Sequence, residues 1–147
     1  RIMIKPSKVI GVNYLERWHV IPRNRFFNIY LHHFIGSDDD RALHDHPFAS
    51  VSFLLKGHLL EIYESSQWTL HGEKLPFEDT RVVPRFWPVF RWAKHKHRLI
   101  LDGGPAWTLF ITGPRFRKDW YFWCKSGPVH YSLMTTPDGK QIGGCDD

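Results

Sequence analysis

Long apolar runs, cysteine and helical periodicity are all scarce in this chain of 147 residues. No stretch approaches ~18 consecutive apolar residues, which excludes a membrane-spanning helix, and the opening RIMIKPSKVIG lacks the apolar core of a secretory signal. The expectation is a soluble, cytoplasmic chain. The 2 cysteines, Cys124 and Cys145, allow at most one disulfide and cannot supply a four-cysteine zinc site, so any metal falls to histidine and carboxylate. Cys124, in the aromatic run from Trp120 to Trp123, reads as a small buried filler, and Cys145 as a free surface thiol. Apolar periodicity at 3.6 residues is missing throughout, and so are internal repeats and low-complexity tracts.

What is present is a composition of 42% hydrophobic, 16% aromatic and 24% charged residues, which excludes disordered and collagen-like chains. The period is two, with turn signals every eight to twelve residues, and this predicts an all-β sandwich or barrel. Expected strands include Arg17–Ile21, Phe26–Ile35, Ser50–Lys56, His58–Glu64, Trp68–Leu75, Arg81–Val83, Phe86–Ala93, Lys96–Asp102, Ala106–Thr112, Trp120–Lys125 and His130–Thr135. One domain over residues 1–137, with 138–147 as a loose tail, accommodates them.

The net charge of +5 is unevenly spread. Residues 81–98 hold Arg81, Arg85, Arg91, Lys94, Lys96 and Arg98 with no acid, interleaved with Phe86, Trp87, Phe90 and Trp92. Such a strip reads as a path for single-stranded nucleic acid, as a solvated strand face alternating with core aromatics, or as a source of arginines that grip a substrate carboxylate. The second reading is preferred and nucleic acid is not expected as a partner; a homodimer stays open.

Ten histidines make roughly 0.7 His-x-His triplets expected by chance, so a bare pair means little. His95-Lys96-His97 is of that kind. His44-Asp45-His46 has better context, lying between an acidic turn and Pro47, with a regular apolar strand ending at Gly57. Strand alternation aims both imidazoles at one point, where a third from a distant strand completes a site. Glu61 is inward-facing if Gly57 and His58 form a hairpin turn pairing 54 with 61, and a carboxylate there serves as a displaced ligand or a general base. The pair His32-His33 points to opposite faces; these two and His19, His58, His71 and His130 read as structural.

The segment Gly36-SDDDRAL-His44-Asp45-His46-PFA-Ser50-VSFLLK-Gly57 resembles the first motif of the cupin superfamily, G-x5-H-x-H-x3,4-E-x6-G. The two histidines and the closing glycine match; the gap after Gly36 is seven residues, and Ser50 replaces the usual glutamate. The second motif retains only His97. A wider resemblance, to an uncharacterised group of bacterial and phage cupin-like proteins, rests on Arg17-Trp18, Ile21-Pro22-Arg23-Asn24-Arg25, Arg41-ALHDHP-Phe48, His97-Arg98 and Ala106-WTLFITGPR-Phe116. It implies a jelly-roll barrel, puts His97 rather than His95 in the third-ligand slot, and leaves Cys145 a minor site role.

By that resemblance the chain is similar to three-histidine iron dioxygenases. The implied cofactor is one divalent transition metal, Fe(II) first, with Mn, Ni or Zn as alternatives. His44, His46 and His97 are the candidate ligands and Glu61 the candidate catalytic group. Arg85, Arg91 and Trp107 are candidates for binding a small, anionic substrate, with Trp87, Phe90, Trp92 and Phe110 as further wall residues. The rival functions are a non-catalytic metal- or ligand-binding module and a metal-assisted isomerase or lyase working without oxygen.

Overall fold

The structure, a computed structural model, describes residues 6–10, 14–37, 42–135 and 145. Its strands are β1 (Lys8–Ile10), β2 (Leu15–His19), β3 (Asn28–Phe34), β4 (Leu43–His44), β5 (Ser50–Lys56), β6 (Leu59–Trp68), β7 (Lys74–Val82), β8 (Val89–Arg91), β9 (His97–Leu101), β10 (Ala106–Thr112), β11 (Tyr121–Cys124) and β12 (Gly127–His130). A single helical turn, α1 (Tyr131–Met134), follows. They form two six-stranded sheets, ordered β1-β2-β3-β10-β5-β8 and β12-β11-β4-β9-β6-β7, packed as a jelly roll. Among the described residues no helix is long and apolar enough to cross a membrane.

β3, β5 and β10 are rich in β-branched and aromatic residues, which fit a pleated, half-buried surface, and they build the middle of the first sheet. β10 pairs with β3 from Ala106↔Phe34 to Thr112↔Asn28, and with β5 from Thr108↔Leu54 to Thr112↔Ser50. The alternation is the reverse of the usual one. Tyr30, His32, Ser50, Ser52, Thr108 and Thr112 are buried inside, while Ile29, Leu31, Val51, Phe53, Leu109 and Ile111 lie half-buried on the outer face. A sheet that turns hydroxyls and imidazoles inward is lining a site rather than only closing a core.

Apolar packing is concentrated at one end of the interior, where Leu15, Phe34, Leu54, Leu59, Val83, Val89 and Ala106 form the main cluster. Gly57 closes that end. Its φ of +88° suits glycine, and a Cβ there would stand 2.5 Å from the Pro105 carbonyl oxygen, so no other residue fits. At this glycine the chain leaves one sheet for the other. The expected hairpin pairing 54 with 61 is therefore not formed, and Glu61 pairs instead with Arg81 and Leu99.

Other expectations are corrected as well. Residues 59–82 make one long hairpin turning at 69–73, where separate strands at Trp68–Leu75 and Arg81–Val83 were expected. The segment His130–Thr135 is mostly helical, because β12 begins at Gly127 and uses up the extended residues first. Cys145 is not a free thiol: it is bonded to Cys124, with the Cα atoms 5.6 Å apart. This ties Cys145 to a second apolar cluster of Ala42, Phe122, Cys124 and Met134. The rest of the expected tail lies outside the described residues.

The bridge encloses a 21-residue separation, for which loss of unfolded-chain entropy stabilises the fold by about 3 kcal/mol. Thiol titration under denaturing, non-reducing conditions should find no free thiol, and Cys145→Ala should lower the stability to urea by about that amount. Two titratable thiols would show that the bridge does not form.

Candidate metal centre

His44 is the last residue of β4, and its backbone stands directly opposite His97 in β9. His46 lies two residues on, where the chain has left the strand, and its N–H is held by the Ala93 carbonyl at 3.0 Å. Between the two imidazoles, Asp45 turns the other way. Its buried carboxylate accepts from the Tyr121 N–H at 2.8 Å and from Trp123 Nε1 at 3.1 Å, and Arg117 lies 3.3 Å away. Arg117 also donates to the His46 carbonyl at 2.6 Å. Asp45 thus pins the segment so that both neighbouring histidines face inward.

The three rings form a nearly equilateral triangle, with centroids 5.1 Å (His44–His46), 5.0 Å (His44–His97) and 5.3 Å (His46–His97) apart. One nitrogen from each lies within 4.8 Å of the other two. The Nε2 atoms of His46 and His97 are 3.1 Å apart, close to the ~3.0–3.4 Å that two imidazoles take up at ~2.1 Å from a common ion. Phe48 stacks on His46 at 5.5 Å, and Trp120 and Phe122 pack against His44.

Glu61 meets this triangle from behind. It is fully buried, and its Oε2 accepts from His97 Nδ1 at 2.6 Å. With Nδ1 carrying the proton, the neutral ring presents a bare lone pair at Nε2, on the side of His46. Three further groups converge on the same carboxylate: Arg91 Nε at 2.6 Å, His95 Nε2 at 3.2 Å, and Arg81, directly opposite in β7, on Oε1. Arg91 also donates to Ser52 Oγ at 2.7 Å.

Burial alone would push the Glu61 carboxyl up; the hydrogen bonds from His95 and His97 and the charge and hydrogen bond of Arg91 outweigh it and hold the group far below the carboxylate range. Burial likewise pushes His97 down, against the pull of Glu61, to about 4. His46 is driven well below 6.5 by burial, with His44 and His97 adding to it. Both rings are therefore neutral at pH 7, the state that ligation requires.

The expected substrate groups are scattered. Arg91 is buried and committed to Glu61 and Ser52. Arg85 is exposed and donates to the Gly57 carbonyl at 3.1 Å. Trp107 points to the outer face, stacked on His33 at 4.1 Å and Trp18 at 5.6 Å. Of the wall residues, Phe110 faces inward and meets Phe48 at 6.1 Å, whereas Trp87, Phe90 and Trp92 are exposed rather than core. Sequence reasoning gave no site role to Asp45, Phe48 or Trp120, and read Arg81 only as part of the basic strip. Phe48 carried a local signal, two residues beyond His46; Arg81 reaches the site through non-local pairing, which one sequence does not display.

No family model and no curated protein matches the chain. Solved structures do. The DMSP lyase DddQ of Ruegeria pomeroyi DSS-3 superposes with a TM-score of 0.52 at 13% identity over 78% of this chain and 55% of its own. The fold is that of the cupins. The hydroxypropylphosphonic acid epoxidase of S. wedmorenis gives 0.52 at 14% identity, covering 76% of this chain and 59% of its own. Fe(II)-HppE gives 0.51 at 13% over 69% and 50%. The chain thus spans 50 to 59% of the length of these three, and the likeness is one of fold.

Acid stability tests the electrostatics of this centre in the metal-free protein. On unfolding, His46 and His97 return to ~6.5 and Glu61 to ~4.5, so below pH ~6.5 the unfolded chain binds more protons than the folded one. Stability is complete above ~6.5 and falls as pH drops, by on the order of 3 kcal/mol from His97 alone by pH ~4, with Glu61 adding a loss below ~4.5. A urea midpoint that stays flat from pH 7 to 5 would contradict this arrangement.

Proposed function

We propose that this cupin holds one divalent transition metal on His44, His46 and His97, iron(II) first, and acts as an oxygenase on a small molecule. The observation that carries the reading is the pair of contacts made by His97: Nδ1 to a buried carboxylate, Nε2 toward His46. A carboxylate behind a histidine fixes its tautomer and raises its basicity, as expected of a metal ligand rather than a filler imidazole. That one structure of this fold is described as an iron(II) protein supports the choice of metal.

When bound, the ion would supply open coordination positions and redox chemistry with dioxygen. The chain supplies the rest. Glu61 orients His97, and the hydrogen bonds of His95 and His97 with the charge and hydrogen bond of Arg91 keep Glu61 ionised. Phe48, Trp120 and Phe110 form a dry wall that excludes water and positions the substrate. Glu61 is read here as a positioning residue and not as a base, since four groups already donate to it. That weakens the lyase or isomerase reading, which needs a free base. Nucleic acid is also disfavoured: Arg81 and Arg91 are committed to Glu61, and Lys96 to Glu64 at 3.3 Å and the Trp123 ring at 3.6 Å.

Elemental analysis after loading with iron(II) without oxygen should find about one ion per chain. The double change His44→Ala, His46→Ala should abolish it with the β signal in circular dichroism retained, and Glu61→Gln should weaken affinity by roughly 10–100-fold. Oxygen uptake in a screen of small carboxylates and thiols should follow the metal. Stoichiometric iron in the double variant would overturn the reading.

A further inference from the structure

We propose that Arg17 binds the anionic end of the substrate at the metal site, a small molecule carrying a carboxylate, phosphonate or phosphate; this inference rests on the reading of the histidine triangle given above. Arg17 stands on the inner face of β2, directly opposite His32 in β3. Its Nε donates to His32 Nε2 at 2.9 Å, and its guanidinium carbon lies 4.3 Å above the Tyr30 ring. These two contacts fix the group in place. Neither neutralises it, and among the described residues no carboxylate pairs with it and nothing accepts from its two terminal nitrogens.

In this it differs from Arg81, Arg91 and Arg117. Arg81 and Arg91 meet Glu61, and Arg117 meets Asp45. Burial pushes the Arg17 guanidinium below its usual value, and burial together with Arg17 keeps His32 neutral, so that His32 stays an acceptor. A half-buried cation without a counter-charge is costly, and an anion that arrives with a ligand removes that cost. The planar pair of terminal nitrogens suits an oxyanion in bidentate fashion.

An aromatic wall leads from Arg17 to the triangle. His32 stacks on Phe110 at 5.2 Å, Phe110 meets Phe48 at 6.1 Å, and Phe48 stacks on His46 at 5.5 Å. A molecule lying along Phe110 and Phe48 would have the Arg17 cation toward one end and the histidines toward the other. The site's own charge favours the same class, because Glu61 carries one negative charge against the two arginines bound to it.

Two probes separate this proposal from the metal reading. In cobalt(II)-loaded protein, the visible bands are followed during titration with butyrate, glutarate and 3-phosphonopropionate. In metal-free protein, the Arg17 Nε–Hε resonance is followed with the same compounds. The doubly functional anions should bind cobalt-loaded protein more tightly than butyrate by roughly 10–100-fold. Arg17→Gln should erase that difference, Arg17→Lys should keep part of it, and neither should change cobalt affinity. The Arg17 resonance should shift with the carboxylates, the phosphonate or both, which identifies the preferred oxyanion. If Arg17→Gln binds glutarate and 3-phosphonopropionate as tightly as the parent and the resonance does not move, the proposal is overturned while the metal reading stands. Failure to bind cobalt, with the resonance still responding, would remove the metal reading and leave an anion site at Arg17.

Discussion

A single buried carboxylate organises the interior. Glu61 is the point at which β6, β7, β8 and β9 are joined by side chains, through Arg81, Arg91, His95 and His97. An isolated ionised carboxylate in that position would be strongly unfavourable, and replacing a donor would leave part of its hydrogen-bonding capacity unmet in a medium of low dielectric. The arrangement is specific because it is costly to satisfy by halves. Its output is the orientation of one imidazole, His97, whose second nitrogen is left to face His44 and His46.

The inverted first sheet follows from the same demand. Its inner face carries Ser52 for Arg91, and His32 and Tyr30 for Arg17, while the apolar alternation goes to the outer face. Hydrophobic packing is confined to the end closed by Gly57 and to the cluster sealed by the Cys124–Cys145 bridge. Two apolar clusters thus hold a polar middle, and the chemistry of the molecule lies in that middle.

Much of this was legible in the chain because alternation is local. Ser50–Lys56 and Ala106–Thr112 are strands with the expected bounds, and His44 and His46 come to one point as expected although β4 ends at His44. Glu61 is inward for a reason other than the one inferred: the presumed hairpin at Gly57 does not exist, yet the phase set by buried Leu59 carries Glu61 inside all the same. What could not be read is non-local. Nothing near Arg91 or Arg81 in sequence reveals that each ends on Glu61, and nothing near Arg17 reveals that no carboxylate among the described residues pairs with it. The aromatic strip 86–92 was misjudged as core because the two prolines, Pro84 and Pro88, interrupt its phase, and Phe86 takes a φ of +59°.

The central claim is that Glu61 holds His97 in the Nδ1–H form, with Nε2 free to ligate. Long-range proton–nitrogen NMR of the imidazoles in metal-free protein at pH 7 measures this directly. His97 should be neutral, with a protonated Nδ1 and an unprotonated Nε2, changing toward the mixed tautomers of a free imidazole in Glu61→Gln. A His97 protonated at Nε2, or one unaffected by Glu61→Gln, would contradict it.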